Sequence, residues 1–362
     1  MKDLVLKGLR ITVVSLALSG CNTPDNLYLD PAQPIEARVD NLMKQMTLQE
    51  KVAQMCQYVG LKHMQTAERD LLITEMEKSH AQGFYKNLHS TDVARMTEEG
   101  LIGSFLHVTD LEEANHLQSL AQKSRLKIPL IIGIDAVHGN GLCSGTTIYP
   151  TPIGQAATFE PALIEQASRE TALEMRATGA HWAFTPNVEV ARDPRWGRGQ
   201  ETYGEDPYLT SRMGVAVVKG LQGPDSARYN KLHACAKHFA VHSGPEWNRH
   251  SFNAENIIPR DLWETYLPAF KTLVQEADVK EVMCAYNRFE GDPCCGSNRL
   301  LTQILRNEWG FKGIVVSDCG AISDFWGTKK HNTHPDAAHA SAEAVLNGTD
   351  LECGSNYRKL TE

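Results

Sequence analysis

The chain has 362 residues, of which 42% are hydrophobic and 22% are charged, the balance of an ordinary globular protein. This length is ample for one large core or two smaller ones, so the composition excludes global disorder. The formal net charge is −8 and no predicted helix carries a dense stripe of lysine and arginine, so no nucleic-acid partner is expected.

The first twenty residues have the pattern of an export signal. Their positive flank consists of Lys2, Lys7 and Arg10. The apolar run that follows, 11–18, is too short to span a bilayer. The segment therefore predicts a signal peptide and not a transmembrane helix.

The apolar run ends in Leu-Ser-Gly-Cys at 18–21, which resembles the bacterial lipobox, where the cysteine becomes the lipid-bearing mature N-terminus. A cysteine that follows a buried helix by chance is the alternative interpretation. We expect a lipoprotein signal peptide over 1–21, a lipid on Cys21 and a polar tether over 22–34. The protein is then expected to be exported and membrane-anchored, in the periplasm or at the cell surface.

After the tether, Thr47 and Glu50 form a capping-box pattern. This pattern predicts the start of an amphipathic helix that contains Val52, Met55 and Tyr58. The first strand candidate comes only later, at Ile102.

From that point, short apolar runs typical of buried strands alternate with helical stretches such as 161–178, 260–276 and 299–309. Repeated strand–helix units predict a parallel sheet wrapped by helices, and the absence of a glycine-rich phosphate fingerprint favours a (β/α)8 barrel of the TIM type over an open sheet. Seven strand candidates are visible where a barrel needs eight, so the barrel is irregular or incomplete at its C-terminus, or one unit is missed. The candidates are 102–108, 128–135, 181–188, 232–240, 281–287, 313–319 and a segment near 345–352.

Polar residues stand where the predicted strands stop, and in a barrel these ends share the face that carries chemistry. Asp318 ends the segment GIVVSD at 313–318, just past an apolar run, although a lone aspartate there is more typical of a helix cap. Lys237-His238 alone is more typical of a solvated lysine and a core histidine. Together the residues combine carboxylates with cationic groups, which suits hydroxyl-rich ligands. They are Asp135, the loop 191–206, Lys237-His238, Tyr286-Asn287 and Asp318.

Six ordered segments carry a resemblance to glycoside hydrolase family 3, of the β-glucosidase and β-xylosidase type, over about residues 35–355. The resemblance implies a (β/α) barrel over 35–362 that hydrolyses terminal β-glycosides with retention, through a glycosyl-aspartate intermediate. The segments are IDAVHG at 134–139, ARDPRWGR at 191–198, YGEDP at 203–207, KHF at 237–239, VMCAYN at 282–287, and NEWGFKG at 307–313 leading into Ser317-Asp318.

The resemblance also implies roles for single residues. Asp318 is the expected nucleophile, with Tyr286 beside it. The hydroxyls of the non-reducing sugar are expected to bind Asp135, Arg198, Lys237 and His238. No organic cofactor or metal is implied, and the histidine-rich stretch 233–250 lacks a recognisable zinc-ligand spacing.

The general acid is the first point at which the chain departs from the family. In two-domain members it is a glutamate in a second α/β domain, and this chain ends at Glu362. We expect that domain to be missing and the chain to be a fragment. The alternative is an acid within the barrel, for which His242 and Glu246 are candidates.

The identity of the preferred sugar is the second point, because the motifs resemble two groups of family members. Asp135 resembles the β-glucosidase members, because a short carboxylate leaves room for a hydroxymethyl group, and a β-D-glucosyl substrate from plant-derived oligosaccharides or aryl and alkyl glycosides is expected. The segments 198–202, 317–319 and 351–354 resemble the xylan 1,4-β-xylosidase members instead. A lipid-anchored barrel that binds sugars and hydrolyses little is the alternative from another functional class.

Cysteines give no further constraint. Besides Cys21 there are eight, an even number that permits disulfides in an exported protein. A chain of this length does not need them, and we expect no disulfide framework. The neighbours Cys294 and Cys295 cannot easily bridge to each other.

Overall fold

The computed structural model describes residues 26–70, 85, 88–224 and 226–361. The predicted signal peptide, the lipobox and Cys21 lie outside the described residues. None of the described helices is long and apolar enough to cross a membrane. The chain divides into two compact units, Met1–Met46 and Thr47–Glu362. The described part of the first holds a 3-10 turn, Leu27–Leu29, and a helix, Ile35–Gln45.

The second unit is a barrel of eight parallel strands, which confirms the predicted fold class. In space the strands follow the order β7-β6-β5-β4-β3-β2-β1-β8, and a parallel bridge between Val316 and Leu351 closes the ring. The strands are β1 Cys56–Val59, β2 Ser104–Leu106, β3 Ile131–Ile134, β4 Trp182–Ala183, β5 His233–Phe239, β6 Glu281–Cys284, β7 Ile314–Ser317 and β8 Glu352–Cys353.

The first strand was missed by the sequence prediction, which placed Tyr58 in a helix. The capping box is present, with the Glu50 N–H donating to Thr47 Oγ1 at 3.2 Å, but the helix Leu48–Ala53 ends after six residues. All four residues of β1 are buried, as is usual in a parallel sheet. A run this short that is buried on both faces, Gln57 included, has no alternation of polar and apolar residues by which its sequence could be told from a helix.

Helices cover the outside of the barrel. The expected helices at 161–178 and 299–309 are confirmed within one residue at each end, as Pro161–Ala177 and the π-type helix Asn298–Glu308. The one expected at 260–276 is divided because Pro268 lacks an N–H and starts a new helix. The other helical segments are Leu61–Asp70, Ser90–Glu98, Leu111–Ala121, Pro152–Ala156, Pro207–Gln222, Pro259–Asp261, the π-type turn Leu262–Tyr266, Pro268–Ala277, Ala321–Trp326 and Ala337–Asn347.

The last predicted strand, near 345–352, began too early. The helix Ala337–Asn347 ends at Gly348, whose φ of 114° an L side chain rarely adopts, and β8 follows only at Glu352. A separate small sheet, formed by Asn253–Ala254, Arg288–Phe289 and Asp292–Pro293, completes the strands of the described chain.

Two disulfides correct the expectation that no framework exists. Cys284 pairs with Cys295, and Cys319 pairs with Cys353. The second pair joins residues 34 apart in sequence that the closure of the barrel brings together. Sequence spacing could not show this, because the pairing depends on which strands become neighbours. The described cysteines that remain free are Cys56, Cys143, Cys235 and Cys294.

An unpaired acid lies in the barrel wall. Glu281, the first residue of β6, is fully buried, and neither carboxyl oxygen has a hydrogen-bond partner among the described residues. Burial raises the pKa of Glu281 well above its ordinary value. The native state therefore favours the protonated form.

Replacing Glu281 should change how stability depends on pH. The native carboxyl keeps a proton that the unfolded chain releases above its ordinary pKa of 4.5, so the free energy of unfolding falls as pH rises from there toward the raised native pKa. The slope is at most about 1.4 kcal/mol per pH unit. Glu281→Gln keeps the shape and should remove this slope, as measured by urea unfolding at about pH 5 and pH 7. An unchanged slope, matching that of the exposed control Glu308→Gln, would contradict the assignment.

Candidate functional site

A cavity of about 410 Å³ opens at the carboxyl ends of the barrel strands. The barrel brings all six residues that the sequence predicted as site residues to its lining: Asp135, Arg198, Lys237, His238, Tyr286 and Asp318. Lys237 and His238 belong to β5, and the others follow strand ends. The cavity lining therefore combines negative and positive side chains on an otherwise apolar barrel.

Asp135, directly after β3, is held by two cationic or polar partners. Its Oδ1 lies 2.5 Å from Lys237 Nζ, and its Oδ2 lies 3.0 Å from His107 Nε2. Burial alone would raise the pKa of Asp135, but Lys237 and His107 outweigh it and hold that pKa well below its usual range. Burial lowers the pKa of Lys237, but Asp135 more than compensates, so that pKa is raised. The two residues form an ion pair in which Lys237 is buried and Asp135 is partly exposed to the cavity. His107 was not predicted.

Arg198 lies on the loop after β4 and makes a two-pronged contact with Glu201. Its Nε and Nη2 donate to the two carboxylate oxygens at 2.9 and 2.8 Å. Asn187 donates to the same carboxylate at 2.9 Å. Burial would raise the pKa of Glu201, but Arg198 lowers it below its ordinary value. The guanidinium is thereby fixed, and its Nη1 points to His238 Nε2 at 3.2 Å.

His238 is a fully buried link between Arg198 and Glu189. Because a guanidinium can only donate, Nε2 of His238 must accept, and the ring proton therefore sits on Nδ1 and donates to Glu189 Oε1. Burial, aided by Arg198 and Lys237, keeps the pKa of His238 well below its ordinary value. Burial raises the pKa of Glu189 to about 8.

Glu189 is a second site residue that the sequence prediction missed. Asn187-Val188-Glu189-Val190, a few residues after β4, alternates polar and apolar residues. In extended chain this alternation places positions 187 and 189 on the same side. The Asn187 side chain donates to Glu201, and the Glu189 side chain accepts from His238. This alternation could have identified Glu189 as a site residue from the sequence.

Asp318, directly after β7, differs from the other carboxylates of the cavity. Its Oδ1 accepts the N–H of Cys319 at 2.8 Å, whereas its Oδ2 is buried without a hydrogen-bond partner among the described residues. The ring nitrogen Nε2 of His238 lies 3.4 Å from this Oδ2. Burial raises the pKa of Asp318, and Arg198, Lys237 and the Cys319 N–H offset that rise only in part.

Tyr286 lies next to this carboxylate. Its hydroxyl donates to the carbonyl oxygen of Cys319 at 2.9 Å. Burial and the charge of Asp318 raise the pKa of Tyr286 well above its ordinary value, so the phenol keeps its proton. The ring of His250 packs on Tyr286 with centroids 4.4 Å apart, and His250 Nδ1 pairs with Asp324 at 2.7 Å.

The two predicted substitutes for a general acid behave differently. Glu246 lines the main cavity with Asp318, and its carboxylate pairs with Arg249. His242 hydrogen-bonds Asn287 at 3.0 Å, and burial lowers its pKa to about 3. An imidazole with that pKa holds no second proton to donate near neutral pH.

Glu189, His238 and His242 also form a group whose ligand atoms lie within 4.8 Å of one another. Both ring nitrogens of His238 are already engaged, by Arg198 and by Glu189. A metal ion here would sit close to the Arg198 guanidinium, whose charge would repel it. Hydrogen bonding therefore explains the cluster better than metal binding does.

Residues 47–361 match the family model described as Glycosyl hydrolase family 3 N terminal domain. The chain is 57% identical over 238 residues to a xylan 1,4-beta-xylosidase of Xylanibacter ruminicola, covering 62% of this chain and 27% of that protein. It is 32% identical over 349 residues to a periplasmic beta-glucosidase of Salmonella typhimurium, covering 95% and 41%. The chain thus spans well under half the length of these relatives.

The solved structures that resemble this chain also include a beta-glucosidase and a beta-xylosidase. A beta-glucosidase from Listeria innocua superposes with a TM-score of 0.73 and 31% identity, over 89% of this chain and 42% of that one. An exo-beta-xylosidase in complex with a xylobiose aziridine activity-based probe superposes with a TM-score of 0.62 and 33% identity, over 68% and 36%.

Breaking the Asp135–Lys237 pair should destabilise the fold. Lys237→Met leaves Asp135 without its closest cation, and we expect a loss of about 2–4 kcal/mol in the free energy of unfolding, measured by urea denaturation. Lys62→Met is the matched control, because it breaks an exposed lysine–aspartate pair with Asp110 and should leave the unfolding midpoint almost unchanged. Equal effects of the two substitutions would show that the Asp135–Lys237 pair carries no special weight.

Proposed function

Because the chain belongs to glycosyl hydrolase family 3, we propose that its cavity binds the terminal non-reducing sugar of a β-glycoside and that Asp318 attacks the anomeric carbon. The observation that carries this proposal is the state of the Asp318 carboxylate. One oxygen is fixed by the Cys319 N–H, and the other has no hydrogen bond to weaken it as a nucleophile. No other cavity carboxylate named above combines burial with an unpartnered oxygen at a barrel-strand end.

The proposed reaction has two steps. In the first, Asp318 Oδ2 forms a bond to the anomeric carbon while the glycosidic carbon–oxygen bond breaks, and the departing oxygen takes up a proton. In the second, water attacks the same carbon, loses a proton and frees the carboxylate. Attack from the same face as the leaving group restores the original configuration, so the product retains the β-anomer.

The other cavity residues suit the sugar hydroxyls. An ionised Asp135 accepts hydrogen bonds, Lys237 donates them, and the two bond each other as well. Arg198 is fixed by its ion pair with Glu201. Such a cluster is preorganised, because its side chains are already ordered by one another and lose little freedom on binding.

A general acid is not assigned. Glu246 lines the cavity, but Arg249 already holds its carboxylate. The decisive experiment therefore uses a sugar whose leaving group departs without a proton, so that only the nucleophile is tested.

Two sugars are candidates, and each has support of its own. A β-D-glucosyl residue is favoured by Asp135, whose short side chain leaves space near β3 for a hydroxymethyl group. A β-D-xylosyl residue is favoured by the 57% identity to the xylan 1,4-beta-xylosidase and by Cys319 and Cys353, which line the cavity within segments of the xylosidase type.

Incubation with 2-deoxy-2-fluoro-β-glucosyl and 2-deoxy-2-fluoro-β-xylosyl fluoride should trap a glycosyl-enzyme. We expect a mass increase of one sugar, mapped to the peptide with Asp318, and release of fluoride. Asp318→Ala should abolish the adduct and lower turnover of an activated aryl glycoside by at least about a thousandfold. Asp193→Asn, which changes an exposed aspartate on the loop before Arg198, should leave both intact.

The sugar that labels faster identifies the preferred substrate. Adduct formation elsewhere than Asp318 would contradict the assigned nucleophile. If a folded protein binds both sugars and forms no adduct, the barrel is a sugar-binding module and not a catalyst.

We also propose that the protein is exported and anchored by a lipid on Cys21. The support is the sequence of residues 1–21 alone: a positive flank, a short apolar run and the lipobox-like Leu-Ser-Gly-Cys. Expressed in a bacterium, the wild type should enter the membrane fraction, and Cys21→Ala should shift it to the soluble fraction. A wild type that is soluble from the outset would contradict the anchor.

A further inference from the structure

The disulfide between Cys319 and Cys353 lies inside the candidate site. Cys319 follows Asp318 in sequence, Cys353 ends β8, and both residues line the cavity. The bond spans the seam between β7 and β8. Four residues of β7 pair in register with β6, whereas across the seam the described chain has one parallel bridge, between Val316 and Leu351, with three backbone hydrogen bonds around it.

The backbone of Cys319 holds two site residues at once. Its N–H donates to Asp318 Oδ1 at 2.8 Å, and its carbonyl oxygen accepts the Tyr286 hydroxyl at 2.9 Å. Any movement of this residue therefore moves the acceptor of Tyr286 and the donor of Asp318 together. The orientation of the unpartnered Oδ2 depends on the same contact, because the two oxygens belong to one rigid carboxylate.

Backbone contacts connect the cysteine pair to both strands. The Gly320 N–H donates to the Cys353 carbonyl at 2.8 Å, and the Cys353 N–H donates to Ser317 Oγ at 3.1 Å. These hydrogen bonds align the two segments, and the covalent bond is the element that keeps them together when the hydrogen bonds open.

We propose that the Cys319–Cys353 disulfide is a positioning element for the reaction. It fixes the Cys319 backbone against β8 and thereby fixes the attacking carboxylate of Asp318 and the hydroxyl of Tyr286. This inference rests on the proposed role of Asp318 as nucleophile. A displacement of about 1 Å at a reacting atom can lower a rate about a hundredfold, so loss of this bond acts on the chemical step more than on sugar binding.

The second disulfide provides a matched control within the same chain. Cys284 ends β6 and pairs with Cys295, and both residues are fully buried. Neither is among the described residues that line the cavity, and the Cys284 carbonyl oxygen accepts the backbone N–H of Asp318 at 3.2 Å, not a bond from its carboxylate. A general loss of stability from removing a crosslink should therefore appear in both double variants, whereas misplacement of Asp318 should appear in one.

The test compares Cys319→Ser/Cys353→Ser with Cys284→Ser/Cys295→Ser, using the 2-deoxy-2-fluoro glycosyl fluoride that labels the wild type faster. Inactivation at several probe concentrations separates the limiting labelling rate from the apparent dissociation constant. We expect the first variant to lose about 10- to 100-fold in limiting rate with little change in dissociation constant, and the second to keep both. Equal rates in the two variants would overturn the inference.

A reversible measurement covers the case in which the first variant does not fold. The Cys284→Ser/Cys295→Ser variant lacks one of the two disulfides, so dithiothreitol then acts on the remaining one, Cys319–Cys353. Labelling should slow on reduction and recover on reoxidation while circular dichroism stays constant. Labelling that continues at the full rate after reduction, confirmed by thiol counting, would also overturn the inference. A wild type that neither sugar labels would contradict the proposed function. A labelled wild type with equal rates in the two variants would contradict only the inference about the disulfide.

Discussion

The site depends on a balance of buried charge at the mouth of the barrel. Carboxylates of Asp135, Glu201 and Asp318 lie within reach of two cations, Lys237 and Arg198. A buried charge is costly unless a partner compensates it, so each cation takes one carboxylate as a direct partner: Lys237 binds Asp135, and Arg198 binds Glu201. Asp318 is left with electrostatic support at longer range and no direct ion pair with either cation. The carboxylate of Asp318 is therefore stabilised by the nearby positive charges, yet it remains available to form a bond.

The barrel makes this arrangement possible by converting distance in sequence into proximity. Asp135 and Lys237 are 102 residues apart in the chain, yet they join the ends of β3 and β5. Parallel strands bring every carboxyl end to one face, where the loops can add Arg198 and Glu201. Because hydrogen bonds and ion pairs among these side chains hold them in place, the site is preorganised, which favours the proposed chemistry.

Much of this could be predicted from sequence, because apolar strands followed by polar residues are a local pattern. The strand ends at Asp135, Lys237 and Asp318 were found in that way. Two features that the sequence did not predict depend on contacts between distant parts of the chain. All four residues of β1 are buried by neighbouring elements, so this short strand lacks the alternation that would distinguish it from a helix, and the Cys319–Cys353 pairing depends on barrel closure. Glu189 could be predicted only in part. The alternating pattern around it is local in sequence, but its partner His238 is distant in sequence.

The most direct test of this charge balance is the pH dependence of covalent labelling at Asp318. Attack requires the ionised carboxylate, so the labelling rate should rise with pH through the pKa of Asp318, which burial raises and Arg198 lowers. In Arg198→Gln that rise should move to higher pH by about 1–3 units, whereas Arg195→Gln, which removes an exposed arginine of the same loop, should leave it in place. An unmoved pH profile in Arg198→Gln would show that the nucleophile does not depend on the buried cations.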